Sequence, residues 1–105
     1  MANTSTGLQI VNNSIQDTTG MAIYCGLGCS YAEIASNTIT RGGVTLVYLS
    51  TGGNNWIHHN TLSYCTNTIL GIAVNGTERC GIGLERGTNN LVEHNTISYL
   101  SLIHI

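Results

Sequence analysis

Apolar residues recur along this chain in short alternating runs, not at helical spacing. Four times an aliphatic residue is followed three positions on by asparagine and five positions on by Ile or Leu: Ile10/Asn13/Ile15, Ile34/Asn37/Ile39, Ile57/Asn60/Leu62 and Val92/Asn95/Ile97. The asparagines are 24, 23 and 35 residues apart. Leu49–Tyr64 laid on Leu84–Tyr99 matches at nine of sixteen positions, so the unit is a true repeat. A second element, glycine followed by alternating apolar residues, precedes the later copies as Gly20-Met-Ala-Ile23, Gly43-Val-Thr-Leu46 and Gly81-Ile-Gly-Leu84. Period-two runs bounded by Gly and Asn predict strands of about three to six residues, about three to each unit. The recurring Asn falls between two of them, where it tolerates left-handed backbone and bonds to nearby main chain. Three such strands bury no face alone. Stacked at strand spacing, units would share one Ile/Val/Leu interior and bring Asn13, Asn37, Asn60 and Asn95 into a ladder of side-chain amides.

Composition sharpens this picture. The 105 residues include 12 Asn, 14 Thr, 13 Gly and 12 Ile, with no Pro, Phe or Lys. Such a chain is rich in turn-forming and β-branched residues and poor in helix formers. At 42% hydrophobic and 8% charged it is too apolar for a disordered tail. A net charge of −2 with three scattered arginines leaves no basic surface for nucleic acid. No apolar run approaches the roughly 20 residues of a membrane span, and the first residues show no signal-peptide pattern.

The I-x-x-N-x-I template at about 23-residue spacing, with G-[IV]-x-[LV] between copies, resembles the right-handed parallel β-helix repeat of pectate-lyase-like proteins. The resemblance runs from about Leu8 to Tyr99. It implies an all-β solenoid of about three to four coils, near 8–31, 32–54, 55–89 and 90–105. A leucine-rich repeat has a similar period and ending. However, Asn55 and Asn90 stand where that motif wants leucine, and no helical period follows the Asn. The resemblance further implies an exported bacterial protein, periplasmic, extracellular or at the cell surface, that binds or cleaves polysaccharide. This chain would be a section of it, joined to adjoining coils. The alternative is a non-catalytic solenoid: structural, adhesin-like or glycan-binding. A third reading, a periplasmic copper-chaperone-like β-helix, would need convergent Met, His and Cys ligands, and the chain has two Met.

The 35-residue unit carries about twelve extra residues within an insertion near 63–81. There Thr68–Val74 and Thr77–Ile82 flank Asn75-Gly76, a strong hairpin signal. An inserted β-hairpin is therefore expected. By the resemblance it would border the groove beside the Gly-led strands, unless it is simply a tolerated excursion.

Candidate chemistry is sparse. Lyases of this fold hold calcium with carboxylates and abstract a proton with Arg or Lys, and the related hydrolases use clustered aspartates. One Asp and no Lys cannot assemble either set, so no cofactor is evident, although calcium belongs to a lyase-like parent. Glu85, Arg86, Glu78 and Arg79 are the catalytic candidates near the implied groove, each more simply read as a solvated or paired surface charge. Tyr48 and Trp56 are candidate sugar platforms. Tyr64 and Tyr99, being repeat-equivalent, read better as a structural stack. His59 and His94 are also repeat-equivalent, near enough when stacked to share a metal, with Glu93 adjacent; turn histidines are the simpler reading. The four cysteines fit no common zinc spacing. They read first as buried thiols packing as small hydrophobes, with a disulfide, Cys65–Cys80, as the alternative.

Overall fold

The computed structural model describes residues 6–17, 21–41, 47–63, 70–74, 80–85 and 88–98. Twelve strands run in chain order: β1 (Gln9–Val11), β2 (Ser14–Gln16), β3 (Ile23–Ser30), β4 (Glu33–Ala35), β5 (Thr38–Thr40), β6 (Val47–Gly53), β7 (Trp56–His58), β8 (Thr61–Ser63), β9 (Leu70–Val74), β10 (Cys80–Glu85), β11 (Leu91–Glu93) and β12 (Thr96–Ser98). They form three four-stranded sheets, β1-β4-β7-β11, β2-β5-β8-β12 and the long-stranded β3-β6-β10-β9. Every pairing is parallel. Each coil gives one strand to each of the two short-stranded sheets, and the long sheet takes β3, β6 and β10 from successive coils with β9 added at its edge, so the chain winds as a parallel β-helix.

Alternation puts one residue per short strand inside. Ile10, Ile34, Ile57 and Val92 share a row, as do Ile15, Ile39, Leu62 and Ile97, and on the long sheet Ile23, Val47 and Ile82. Ile34, Ile39, Val47, Ile57, Leu62 and Ile82 are fully buried, whereas Ile10, Ile15, Val92 and Ile97 of the outer coils are half-buried. Each coil thus covers its neighbour's interior, which is how three-residue strands acquire a core.

Two-residue corners join the short strands. In each, the residue before the recurring asparagine is left-handed: Asn12 (φ 60), Ser36 (55), His59 (54) and His94 (54). The expectation that the recurring Asn itself takes that conformation is corrected. The preceding residue makes the bend, which frees the Asn side chain to turn inward. Oδ1 of Asn37 accepts from the backbone N–H and Nδ2 of Asn13 (2.9 and 3.1 Å), Oδ1 of Asn60 from those of Asn37 (both 3.0 Å), and Oδ1 of Asn95 from those of Asn60 (both 2.9 Å). A second, shorter ladder lies at the corner after the long strands. Oδ1 of Asn90 accepts from N–H (3.1 Å) and Nδ2 (2.9 Å) of Asn55, whose Oδ1 accepts from Ala32 N–H (2.9 Å). Tyr31, Asn54 and Asn89 make the left-handed bends there. Buried amides at a corner have no sheet partner, and these side chains satisfy them.

Three further expectations change. The Gly-led runs are not equivalent as aligned, because Ile23, Val47 and Ile82 share one rung although they stand three, four and one residues after the leading glycine. Gly20 and Gly43 lie outside the described residues. The inserted hairpin is not formed by these strands, since β9 pairs parallel with β10 (Leu70↔Cys80, Ile72↔Ile82, Val74↔Leu84) at the edge of the long sheet. The register explains it. Gly71-Ile-Ala-Val74 repeats the pattern of Gly81-Ile-Gly-Leu84, so β9 offers β10 what another coil would. Asn75 and Gly76 lie outside the described residues.

The third concerns cysteine. Cys25 and Cys29 are buried and joined as a disulfide, not free thiols. Four residues of straight strand span about 13 Å. A register shift after Cys25 and the left-handed Gly28 (φ 77) fold β3 so that their Cα atoms lie 6.2 Å apart. Cys65, and the Cys80 side chain that would pair with it, lie outside what is described.

Candidate functional site

The long-stranded sheet carries the first group of exposed chemistry. Between the inward residues Ile23/Cys25 and Val47/Leu49, alternation turns Tyr24 and Tyr48 outward on one rung, and their rings stack with centroids 5.6 Å apart at 21°. The same rung continues into Gly83 and Ala73 on β10 and β9. Gly83 has no side chain and is buried, so the strip of rings stops at Tyr48. Glu85 pairs with Ser50 two residues farther along, although its side chain is not among those described. Arg86, Glu78 and Arg79 lie outside the described residues, as do Tyr64 and Tyr99.

Trp56 belongs elsewhere. It opens β7 on the adjacent short-stranded sheet, 41% exposed, so it and Tyr48 occupy different faces of the coil. Its ring stacks on His58 (centroids 3.8 Å, 22°), and its Nε1–H donates to Glu93 Oε2 at 2.8 Å. Trp56 is thereby locked between β7 and β11 as part of a polar network.

That network is the densest collection of titratable groups among the described residues. On the outer face of β4, β7 and β11, the register sets Glu33 beside Trp56 and Ala35 beside His58, and His58 beside Glu93. His58 Nε2 lies 2.8 Å from Glu33 Oε2, and His58 Nδ1 lies 2.8 Å from His59 Nδ1. Stacking of coils puts the His59 and His94 rings 5.1 Å apart at 23°, roughly one strand spacing, as their repeat positions imply. Their separation is that of a ring stack. No group of three or more His, Cys, Asp or Glu among the described residues is arranged to hold a metal. Glu33 and His58 escaped the sequence reading. Their signal is faint, because they are 25 residues apart and meet only through the inter-coil register.

The third corner carries an ion pair. Asp17 (φ 59) and Arg41 (φ 58) bend equivalent turns of successive coils, and Arg41 Nε donates to Asp17 Oδ1 at 2.5 Å. The hydrogen bond from Arg41 holds the Asp17 carboxyl below its ordinary range, against an opposing effect of desolvation and with a lesser contribution from the charge of Arg41. Arg41 is raised by the same partner.

A cleft of about 370 Å³ opens at the first coil, among Leu8, Ile10, Ile15, Ile23, Ile34 and Leu49. These are interior residues, so the cleft is the mouth of the core and offers apolar contact, not catalytic chemistry.

No curated protein and no solved structure matches the chain. A family model described as the right handed beta helix region matches residues 1–104. With three parallel sheets, inward aliphatic rows and asparagine ladders already in place, the chain belongs to the right-handed β-helix family.

Proposed function

We propose that this chain is a scaffold segment of a polysaccharide-binding β-helix protein, with the outer face of the long-stranded sheet as its glycan-contacting surface. The observation that carries this reading is the Tyr24–Tyr48 stack on the outer side of one rung. Paired aromatic faces offer an apolar platform with polar hydroxyl tips, which suits the C–H faces and hydroxyl rims of successive sugar rings. Such a surface binds without cleaving, and cleavage in a longer parent protein would draw on residues of other coils. The buried Cys25–Cys29 disulfide supports an oxidising compartment, hence export.

Affinity electrophoresis through gels containing polygalacturonate, alginate, xylan or glucomannan tests the reading. Retardation by at least one polymer is expected, and Tyr48→Ala should weaken it while leaving the far-ultraviolet circular dichroism intact. No retardation in any gel, or retardation indifferent to Tyr24→Ala and Tyr48→Ala, refutes it.

A further inference from the structure

We propose that Glu33, His58 and His59 form a hydrogen-bonded relay that leaves Nε2 of His59 as an exposed nucleophile toward acyl esters. This does not depend on the polysaccharide reading, because it concerns a different sheet and different residues.

Donor and acceptor chemistry assigns the protons. A carboxylate has no hydrogen to give, so the 2.8 Å contact between Glu33 Oε2 and His58 Nε2 places the ring hydrogen of His58 on Nε2. Nδ1 of that neutral ring is then an acceptor. The second 2.8 Å contact must be donated by Nδ1–H of His59, which leaves the lone pair of His59 on Nε2. The rings meet edge to face (87°) with centroids 5.1 Å apart. With the two Nδ1 atoms 2.8 Å apart, the nitrogens lie close to the line joining the ring centres. That is the geometry of a ring-to-ring hydrogen bond. A chelated metal would instead sit off that line, where both lone pairs converge.

The surroundings fix the relay in place. The His58 side chain is only 12% exposed and is covered by the face of Trp56, which Glu93 holds through Nε1. His59 is exposed at its corner, and its Nε2 takes no hydrogen bond among the described residues. A proton arriving on His58 would place its charge beside the Glu33 carboxylate and against the indole face of Trp56.

The step balances. His59 Nε2 attacks the ester carbonyl carbon, forming an N–C bond as the C–O bond to the leaving alkoxide or phenoxide breaks. The Nδ1 proton of His59 passes to Nδ1 of His58, so the acyl-imidazole is neutral and the charge rests on His58 beside Glu33. Water then attacks the acyl carbon. Carboxylate departs, both protons of the water go to solvent, where one of them matches the alkoxide or phenoxide already released, and His58 returns to Nδ1 of His59 the proton it took. In this scheme His59 is the catalytic residue, and Glu33 and His58 are positioning residues.

His94 is a built-in control. It has the same corner position, the same φ of 54° and an exposed ring, but Glu93 and not a histidine precedes it. The experiment reads the carbethoxylation rate of each histidine by diethylpyrocarbonate and mass spectrometry, alongside p-nitrophenyl acetate hydrolysis by the full chain. His59 should react faster than His94 by on the order of tenfold, the range that orienting partners of a histidine command. His58→Phe, which keeps a ring stacked on Trp56, and Glu33→Gln should each abolish that excess and the esterolysis without changing the melting temperature. Equal rates at His59 and His94 in the wild type overturn the proposal. So does esterolysis that survives His59→Gln, or a His59 excess that survives both Glu33→Gln and His58→Phe.

Discussion

Replacing Asn60 by alanine tests the physical argument for this fold most directly. The side chain is 1% exposed and makes four hydrogen bonds. Its Oδ1 accepts from N–H and Nδ2 of Asn37 (both 3.0 Å), and its Nδ2 donates to the Ile34 carbonyl and to Oδ1 of Asn95 (both 2.9 Å). Some partners have another bond to fall back on. Asn37 Nδ2 still reaches the Ile10 carbonyl, and Asn95 Oδ1 still receives Asn60 N–H. The backbone N–H of Asn37 has no such alternative, because at a corner no strand lies opposite it. Stranding one buried donor costs about 1–3 kcal/mol, and each further lost bond costs about 0.5–1.5 kcal/mol. With three further bonds lost the expected total is about 2.5–7.5 kcal/mol, against a whole stability usually of about 5–15 kcal/mol. Asn13 supplies the contrast. It ends the same ladder, is exposed, and donates through Nδ2 only to Asn37 Oδ1 (3.1 Å) and the Val11 carbonyl (3.3 Å). Asn37 Oδ1 keeps the N–H of Asn13 after that side chain is removed. Asn13→Ala should therefore cost no more than about 1 kcal/mol. Urea unfolding followed by Trp56 fluorescence and circular dichroism measures both, and amide exchange at Asn37 reads the stranded donor directly. Equal costs for the two variants, or undiminished protection of Asn37 N–H in Asn60→Ala, would falsify the ladder as a source of stability.

Two other outcomes follow from the coil geometry. Gly52 sits at φ 77 where a Cβ would overlap the Cys29 carbonyl of the coil below, so Gly52→Ala should destabilise by on the order of 3 kcal/mol in the same unfolding assay; a neutral result would mean that the coils are not this close. The Asp17–Arg41 pair predicts an acid-side effect of definite sign. Asp17 has its folded pKa below the unfolded one, so its stabilisation is present above its ordinary value of 3.8 and is lost as pH falls through the folded value. Melting temperatures of wild type and Asp17→Asn should differ at neutral pH and converge in acid, and an offset independent of pH would contradict the assignment.

The architecture was largely legible because its cause is local and repeated. An aliphatic residue, an inward Asn and another aliphatic residue at constant offsets specify a strand, a corner and a strand, and four copies specify the stacking. The corner itself was misread by one residue. Pattern shows where a bend must fall, but not which of two adjacent residues takes positive φ, and the inward pull on Asn60 or Asn37 leaves that conformation to His59 or Ser36. The second ladder was visible as the doubled Asn54-Asn55 and Asn89-Asn90, whose 35-residue spacing equals that of Asn60 and Asn95. The hairpin signal at Asn75-Gly76 misled, and the likeness of Gly71-Ile-Ala-Val74 to Gly81-Ile-Gly-Leu84 is the pattern that agrees with the parallel pairing of β9.

Sequence alone therefore determined the parallel coil, the aliphatic interior and the amide ladder, since each depends on residue type at a fixed spacing. Tertiary structure decided everything that depends on register between coils. It brought Glu33 to His58 across 25 residues, set Tyr24 on Tyr48, bent β3 until Cys25 met Cys29, and laid β9 along the edge of the long sheet. Contacts between coils follow from how far each turn of chain travels before it returns to the axis. Loop lengths and bulges set that distance, and it is these contacts that give exposed side chains their chemistry.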